Sequence, residues 1–375
     1  MPAHPRHFAY IDALRGYAIL MVVAVHTLTL HPGPWWLAQL SEQGARGVQL
    51  FFLVSAFTLC LSWAAREDKA PQFYLRRLFR IAPMFWLAVP FFIWLRGWQE
   101  NGIWQVATSV TFTHALWPDT MFGPVPGGWS VGVEAILYAL FPFAIVPLMT
   151  CRWRTFVIVM VAAVVGGSQI SRQFGFWYQN HPELWSNGSR YFFDTWFPRE
   201  FPCFLFGVAL YRAQAQGFHM GIRASCALIF SGVSCFVAMA LLYGVKYAVP
   251  LGPSTTSAFC FFLIILGLLN YRPLLIVNPV IGWIGKVSYS VYFLHFAVLA
   301  LPALGALGLA ADLLSRFEYF AVVTVVSVAL GSVTYVLIER PCIGLGRRVE
   351  NALWQRGAAK SDAPSTRDAD TAVSV

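Results

Sequence analysis

Long apolar stretches recur along almost the whole 375-residue chain, and short polar segments separate them. A helix needs about 20 mostly apolar residues to cross the hydrocarbon core of a bilayer. Ten stretches come close to that requirement, at residues 11–30, 47–64, 78–95, 130–149, 155–170, 200–214, 224–243, 255–270, 287–308 and 318–338. No stretch has the alternating pattern of a membrane β-barrel. The sequence therefore predicts an all-α integral membrane protein, a bundle of about ten transmembrane helices.

Two further segments do not fit the pattern of a crossing helix. Ile103–Leu116 is short and rich in Thr, Ser and His, which predicts a re-entrant or interfacial segment. The polar C-terminal residues 346–375 have the composition of a largely disordered tail. The domain prediction is thus one membrane-embedded domain at residues 1–345, followed by a cytoplasmic tail at residues 346–375.

The composition excludes several classes of protein. Hydrophobic residues make up 58% of the chain and charged residues 11%, whereas soluble domains have about 25% charged residues. A cytosolic enzyme or a nucleic-acid-binding protein of this size could not bury so much apolar surface. The net charge of +9 instead favours anionic lipid headgroups as partners. The seven Cys residues lack the spacing of a disulfide framework or a metal site, so no metal is expected.

The distribution of Lys and Arg predicts the orientation, because cytoplasmic loops of membrane proteins carry an excess of both. With the N-terminus inside and ten crossings, 19 Lys and Arg residues lie on the inner side and 7 on the outer side. If Ile103–Leu116 crossed the membrane, later Arg-rich loops would face outward. We therefore expect a multi-pass protein of the bacterial inner (cytoplasmic) membrane with both termini in the cytoplasm.

The first predicted span carries two residues that are costly to place in a bilayer. Arg15 and His26 are eleven residues apart, so they lie about 20° apart around a helix and about 16 Å apart along it. Arg15 is then at the cytoplasmic boundary and His26 is in the outer half of the membrane. A snorkelling Arg and a structural His would also fit, but the shared face favours a catalytic role for both.

Three closely spaced arginines lie where the chain enters the third predicted span. Arg80 follows Arg77 by three residues and Arg76 by four. On a helix, these spacings let the side chain of Arg80 converge with those of Arg76 and Arg77. One guanidinium group can donate two parallel hydrogen bonds to the oxygens of one phosphate. The pattern suits phosphate binding, although membrane anchoring by positive charge would explain two of the three.

The fourth predicted span has an acid near its outer end. Ser130 and Glu134 share one helix face, and Trp129 precedes them. An acid inside the bilayer needs a partner, and His26 has a similar expected depth. We therefore expect Glu134 to pair with His26 and to contribute to catalysis, with Ser130 and Trp129 in substrate binding.

Taken together, these motifs resemble the acyltransferase-3 family, integral membrane O-acyltransferases that modify bacterial lipopolysaccharide, peptidoglycan and exported glycans. The resemblance covers residues 8–345. It rests on an ordered set of motifs, namely Tyr10–Gly16 with His26, Gly47–Phe57, Arg76, Arg77 and Arg80 with Pro83, Trp129 and Ser130 with Glu134, Ser288–Ser290 with His295, and Glu339–Pro341.

The resemblance implies a specific chemistry. The donor would be acyl-CoA, most simply acetyl-CoA, held by the arginine run. The acceptor would be a hydroxyl of a cell-surface or exported glycan or of a lipid-linked saccharide. Arg15 and His26 would be functional, and Tyr289 and His295 in the ninth span would contribute to substrate binding. Gln49 and Gly132 depart from the Asp and Ser that are common in the family, which questions a site role at those positions.

Two other classes of protein are compatible with the composition. One is a polytopic transporter or exporter that uses His26 and Glu134 as a proton relay, although the internal repeats common in transporters are not visible in the sequence. The other is a membrane scaffold without activity, for which His26, Glu134 and His295 would be costly to bury.

Overall fold

The computed structural model describes residues 9–30, 34–66, 70–97, 102–181, 183, 191–243, 251–300 and 315–361, with backbone only for 355–361. These residues contain helices and turns and no strand, which confirms the all-α fold. The helices are α1 Ala9–Thr27, α2 Trp35–Glu42, α3 Gly47–Ala64, α4 Ala70–Arg96, α5 Ile103–Val110, α6 Gly128–Leu140, α7 Val146–Thr150, α8 Trp153–Gln179, α9 Phe192–Thr195, α10 Phe197–Ala215, α11 Ile222–Tyr243, α12 Pro253–Asn270, α13 Pro279–Lys286, α14 Ser288–Leu299, α15 Arg316–Thr334 and α16 Arg340–Ser361.

Eight helical stretches of the described chain are long and apolar enough to cross a membrane. They are Ala9–Leu30, Trp35–Ala64, Ala70–Arg96, Gly128–Thr150, Trp153–Gln179, Ile222–Leu242, Pro253–Asn270 and Arg316–Trp354. The predicted span 200–214 forms α10, which is less apolar because it carries Arg199, Glu200 and Arg212. The predicted span 287–308 begins as α14, and residues 301–308 lie outside the described residues. The count of ten crossings stays a prediction.

The segment Ile103–Leu116 forms no helix long enough to span. Helix α5 has eight residues, or about 12 Å of helix, and a 3₁₀ turn at His114–Leu116 follows. Between them Phe112 has a positive φ of 59°, a conformation that disfavours continuation of a helix. This geometry agrees with a segment that enters the bundle without crossing it.

Helices α1 and α13 pack so closely that only glycine fits between them. A Cβ atom on Gly285 would collide with the backbone carbonyl of Asp12, and one on Gly16 would collide with the backbone of Ile281. Because Asp12 and Gly16 flank Arg15, this contact fixes the position of the first candidate site residue.

The C-terminal region differs from the prediction, because α16 continues through the predicted domain boundary at 345/346 as far as Ser361. Gly346 lies against the side chain of Phe79 on α4, and Glu350 forms an ion pair with Arg76 on the same helix. These contacts supply helix stabilisation that the polar composition of this segment does not indicate. Residues 362–375 lie outside the described residues.

Candidate functional site

Two adjoining cavities lie among α1, α3, α4, α6, α14 and α16. The first, here the inner cavity, has a volume of about 80 Å³. The second, here the basic vestibule, has a volume of about 270 Å³. Arg15, Thr58, Arg77 and Arg80 line both, so the vestibule adjoins the inner cavity.

The basic vestibule is rich in arginine. Six arginines line it, namely Arg15, Arg66, Arg76, Arg77, Arg80 and Arg347. Among the described residues, two of them form an ion pair: Arg15 lies 3.8 Å from the Asp12 carboxylate, and Arg76 pairs with Glu350. The excess of guanidinium groups makes the vestibule attractive for a polyanion, and phosphate oxygens match the guanidinium fork.

The three arginines of α4, Arg76, Arg77 and Arg80, differ in the cavities that they line. Arg77 and Arg80 line both cavities, and the Arg77 guanidinium lies 6.0 Å from the ring centroid of Tyr138. Arg76 lines the vestibule alone, where its ion pair with Glu350 connects α4 to α16. Arg77 and Arg80 are therefore placed where a ligand would pass from the vestibule to the inner cavity.

Glu134 lies in the inner cavity. Its Oε1 accepts hydrogen bonds from Ser55 on α3 and from the hydroxyl of Tyr138, which lies 2.6 Å away and one turn further along α6. The expected pairing of Glu134 with His26 is not found among the described residues. Instead, its two hydroxyl partners hold the carboxylate inside the cavity that Arg15 and Arg77 also line.

The imidazole of His26 lies next to a second histidine instead. Its ring centroid is 5.4 Å from that of His295 and 4.7 Å from that of Phe296. His295 is fully buried, and its Nδ1 lies 3.1 Å from the Val291 carbonyl oxygen. Since a carbonyl only accepts, Nδ1 carries the proton and Nε2 is unprotonated. That Nε2 has no hydrogen-bond partner among the described residues.

A pair of hydroxyl groups, from Tyr292 and Ser130, forms part of the wall of the inner cavity. The hydroxyl groups of Tyr292 and Ser130 are 2.9 Å apart, and each lies 3.0 Å from the Gly127 carbonyl oxygen. Gly127 has a φ of 72°, and a Cβ there would lie 2.9 Å from the Tyr292 hydroxyl. Tyr292 and Ser130 line the cavity, whereas His295 lies behind Tyr292, with 6.1 Å between ring centroids.

The two remaining predicted residues have different surroundings. Tyr289 lines the inner cavity, and its hydroxyl donates a hydrogen bond of 2.7 Å to the carbonyl of Ile81 on α4. Trp129 packs edge-on against Phe52, with ring centroids 6.3 Å apart, and is not among the residues that line the inner cavity. Trp129 therefore packs behind the cavity wall, where it can support Phe52 but is not placed to contact a substrate.

Several residues of this site were missed by the sequence analysis. Tyr138 follows Glu134 by four residues, a spacing that would have revealed it. Ser55 lies on another helix, α3, and no motif in the sequence indicated its contact with Glu134. Glu339, named in the sequence analysis only within the motif Glu339–Pro341, is buried and accepts a hydrogen bond from Ser290, within a π-helical turn at Tyr335–Glu339. Such turns often accompany functional sites.

The two departures from the family pattern have structural explanations. A Cβ on Gly132 would lie 2.7 Å from Nε2 of His114, so a serine would not fit beside this ring. Burial lowers the pKa of His114, and the neutral ring can donate from Nε2 to the Gly128 carbonyl at 2.9 Å. Gln49 donates to both carboxylate oxygens of the buried Glu200, at 3.1 Å, where an aspartate would add a second negative charge.

The arrangement as a whole can bind an anion. The vestibule supplies charge for phosphates, and the inner cavity supplies hydroxyl groups and one carboxylate. His26 is connected to the cavity wall through His295, whose ring neighbours both His26 and Tyr292. Within the described ranges no group of three or more His, Cys, Asp or Glu side chains could hold a metal ion.

Comparison with known proteins agrees with the motifs. The model of the acyltransferase domain (acyltransferase-3) matches residues 8–336. The chain is also similar to the exopolysaccharide production protein ExoZ of Rhizobium meliloti (strain 1021), at 26% identity over 330 residues, which cover 84% of this chain and 95% of the relative. No solved structure matches the chain. The family model spans most of the residues that build both cavities, and the chain therefore belongs to the acyltransferase-3 family of membrane acyltransferases.

Proposed function

We propose that this protein transfers an acyl group, most simply acetyl, from acyl-CoA to a hydroxyl of an exported polysaccharide or its lipid-linked precursor. The observation that carries the proposal is the basic vestibule, which adjoins an inner cavity that contains hydroxyl groups and one carboxylate. A transporter relay from His26 to Glu134 is not favoured, because the two groups have different partners. The name of the relative ExoZ supports a polysaccharide as the acceptor.

The donor would enter from the cytoplasm. Its phosphates would bind among the vestibule arginines, with Arg77 and Arg80 at the passage to the inner cavity. The uncharged pantetheine arm would then occupy the inner cavity, beside the hydroxyl groups of Tyr289 and Ser55. Its thioester would reach the hydroxyl pair Tyr292 and Ser130 in the wall of that cavity.

The acceptor hydroxyl would approach the thioester from the side of His26. His26 removes the hydroxyl proton as a general base, while the oxygen attacks the thioester carbonyl. The carbon–sulfur bond breaks as the new ester carbon–oxygen bond forms, and the proton passes to the departing CoA thiolate. The neighbouring His295 Nε2, which has no hydrogen-bond partner among the described residues, would stabilise a protonated His26 by accepting a hydrogen bond from it.

The same proposal sets the orientation in the cell. The vestibule arginines belong to segments that the Lys and Arg bias assigns to the cytoplasm, which is where CoA thioesters are made. We therefore propose the bacterial inner membrane, with both termini cytoplasmic and His26 towards the outer face.

Mass spectrometry of surface and exported polysaccharides from cells with and without this gene tests the function. We expect one acyl group per modified sugar to disappear with the gene and to return with the wild-type copy, but not with His26→Gln at equal protein level. Unchanged acylation in the deletion, together with a change in polysaccharide export, would favour the transporter.

A further inference from the structure

The vestibule arginines fall into two groups by position. Arg15, Arg77 and Arg80 line both cavities, and thus lie at the inner end of the vestibule. Arg66, Arg76 and Arg347 line the vestibule alone. These three arginines form the outer group, further from the inner cavity.

One of these outer arginines lies on a segment that the family match does not include. The acyltransferase domain match ends at residue 336, whereas Arg347 lies on α16, one turn after this helix begins to form a vestibule wall at Ile343. Helix α16 is held there by the contact of Gly346 with Phe79 and by the ion pair of Glu350 with Arg76.

The ion pair also distinguishes the roles of two outer arginines. Arg76 is engaged with a carboxylate of α16, so its positive charge is largely compensated and its position serves to hold α16. Arg347 and Arg66 are exposed at the vestibule, and neither has an ion pair within the described chain. The outer end of the vestibule therefore presents two guanidinium groups that are available to an anion.

Coenzyme A carries phosphate at two separate places. Its diphosphate adjoins the pantetheine arm, and its 3′-phosphate lies on the ribose, further from the thiol. Resting on the proposed CoA donor, we propose that Arg77 and Arg80 bind the diphosphate and that Arg347, with Arg66, binds the 3′-phosphate. The C-terminal helix α16 is then part of the donor site and not a tail.

Binding of two ligands to the purified full-length protein tests this assignment. CoA and dephospho-CoA, which lacks the 3′-phosphate, are titrated calorimetrically against wild type, Arg347→Ala, Arg66→Ala and Arg348→Ala. Arg348 is the matched control, because it is the adjacent exposed arginine and does not line the vestibule. Arg77→Ala serves as the comparison at the inner end.

We expect Arg347→Ala and Arg66→Ala to weaken CoA binding by about three- to tenfold each, since exposed charges contribute less than buried ones. Neither variant should change the affinity for dephospho-CoA. Arg348→Ala should leave both affinities unchanged, and Arg77→Ala should weaken both. Arg347→Glu, which keeps the exposed position, should weaken CoA binding more than Arg347→Ala.

Two results would overturn the assignment while leaving the proposed function in place. One is equal affinity of the wild type for CoA and dephospho-CoA, and the other is an equal loss for both ligands in Arg347→Ala. If the wild type binds neither ligand, the proposed donor itself is wrong, and the assignment falls with it.

Discussion

Replacement of His26 by glutamine should remove the chemistry and leave the fold. Glutamine keeps a polar side chain but has no basic nitrogen, and loss of a general base typically slows a reaction by about 10²–10⁴-fold. That range corresponds to about 2.7–5.5 kcal/mol in activation free energy. We therefore expect acyl transfer to fall below one-hundredth of the wild-type rate.

The structure limits the expected effect on folding. His26 is half-buried, makes ring contacts to His295 and Phe296, and forms no hydrogen bond with a described residue. Each aromatic contact contributes about 0.5–1.5 kcal/mol, so the unfolding free energy should fall by no more than about 3 kcal/mol. Phe296→Leu is the matched control, because it removes one of these ring contacts and keeps the base.

The assay is transfer of radiolabelled acyl groups to polysaccharide in membranes that contain equal amounts of each variant. His26→Gln should be nearly inactive at normal protein level, and Phe296→Leu should keep most of the activity. Transfer by His26→Gln above about one-tenth of the wild-type rate would refute the role of His26 as the base. An equal loss in Phe296→Leu would show that packing at this point, and not basicity, limits the reaction.

Three other substitutions test separate parts of the account. Arg80→Ala should raise KM for acyl-CoA about ten- to a hundredfold, and full recovery in Arg80→Lys would exclude a bidentate phosphate contact. Gly285→Ala should lower the thermal unfolding temperature, because the added Cβ collides with the Asp12 carbonyl; an unchanged temperature would contradict the α1–α13 packing. Tyr292→Phe removes a hydroxyl that contacts Ser130 and Gly127, so acyl transfer should slow, and an unchanged rate would contradict the placement of the thioester at this hydroxyl pair.

The parts of the site that lie on one helix could be predicted from the sequence. Helical geometry alone places Arg15 and His26 on one face of α1, and the same spacing rule connects Glu134 with Tyr138. The apolar stretches were likewise sufficient to predict the all-α membrane fold. Within a bilayer the backbone must satisfy its own hydrogen bonds, so a chain that does not form a β-barrel crosses as helices.

Contacts between helices were beyond the sequence rules. The expected depths of Glu134 and His26 in the membrane are similar, which suggested that the two residues pair. In the structure, Ser55 on α3 donates a hydrogen bond to Glu134 instead. The polar composition after residue 345 predicted a disordered tail, whereas the contact of Gly346 with Phe79 and the ion pair of Glu350 stabilise a helix there. Both differences arise from tertiary contacts between residues far apart in the sequence.

The central claim is that the donor binds on the side of the basic vestibule and that the acyl group leaves on the side of His26. The most direct measurement uses sealed proteoliposomes of one known orientation, with radiolabelled acetyl-CoA on one side and polysaccharide acceptor on the other. Label should enter the polysaccharide when acetyl-CoA is on the side of Arg77 and Arg347, and not when the two are exchanged. Transfer of label only in the exchanged arrangement would contradict the account.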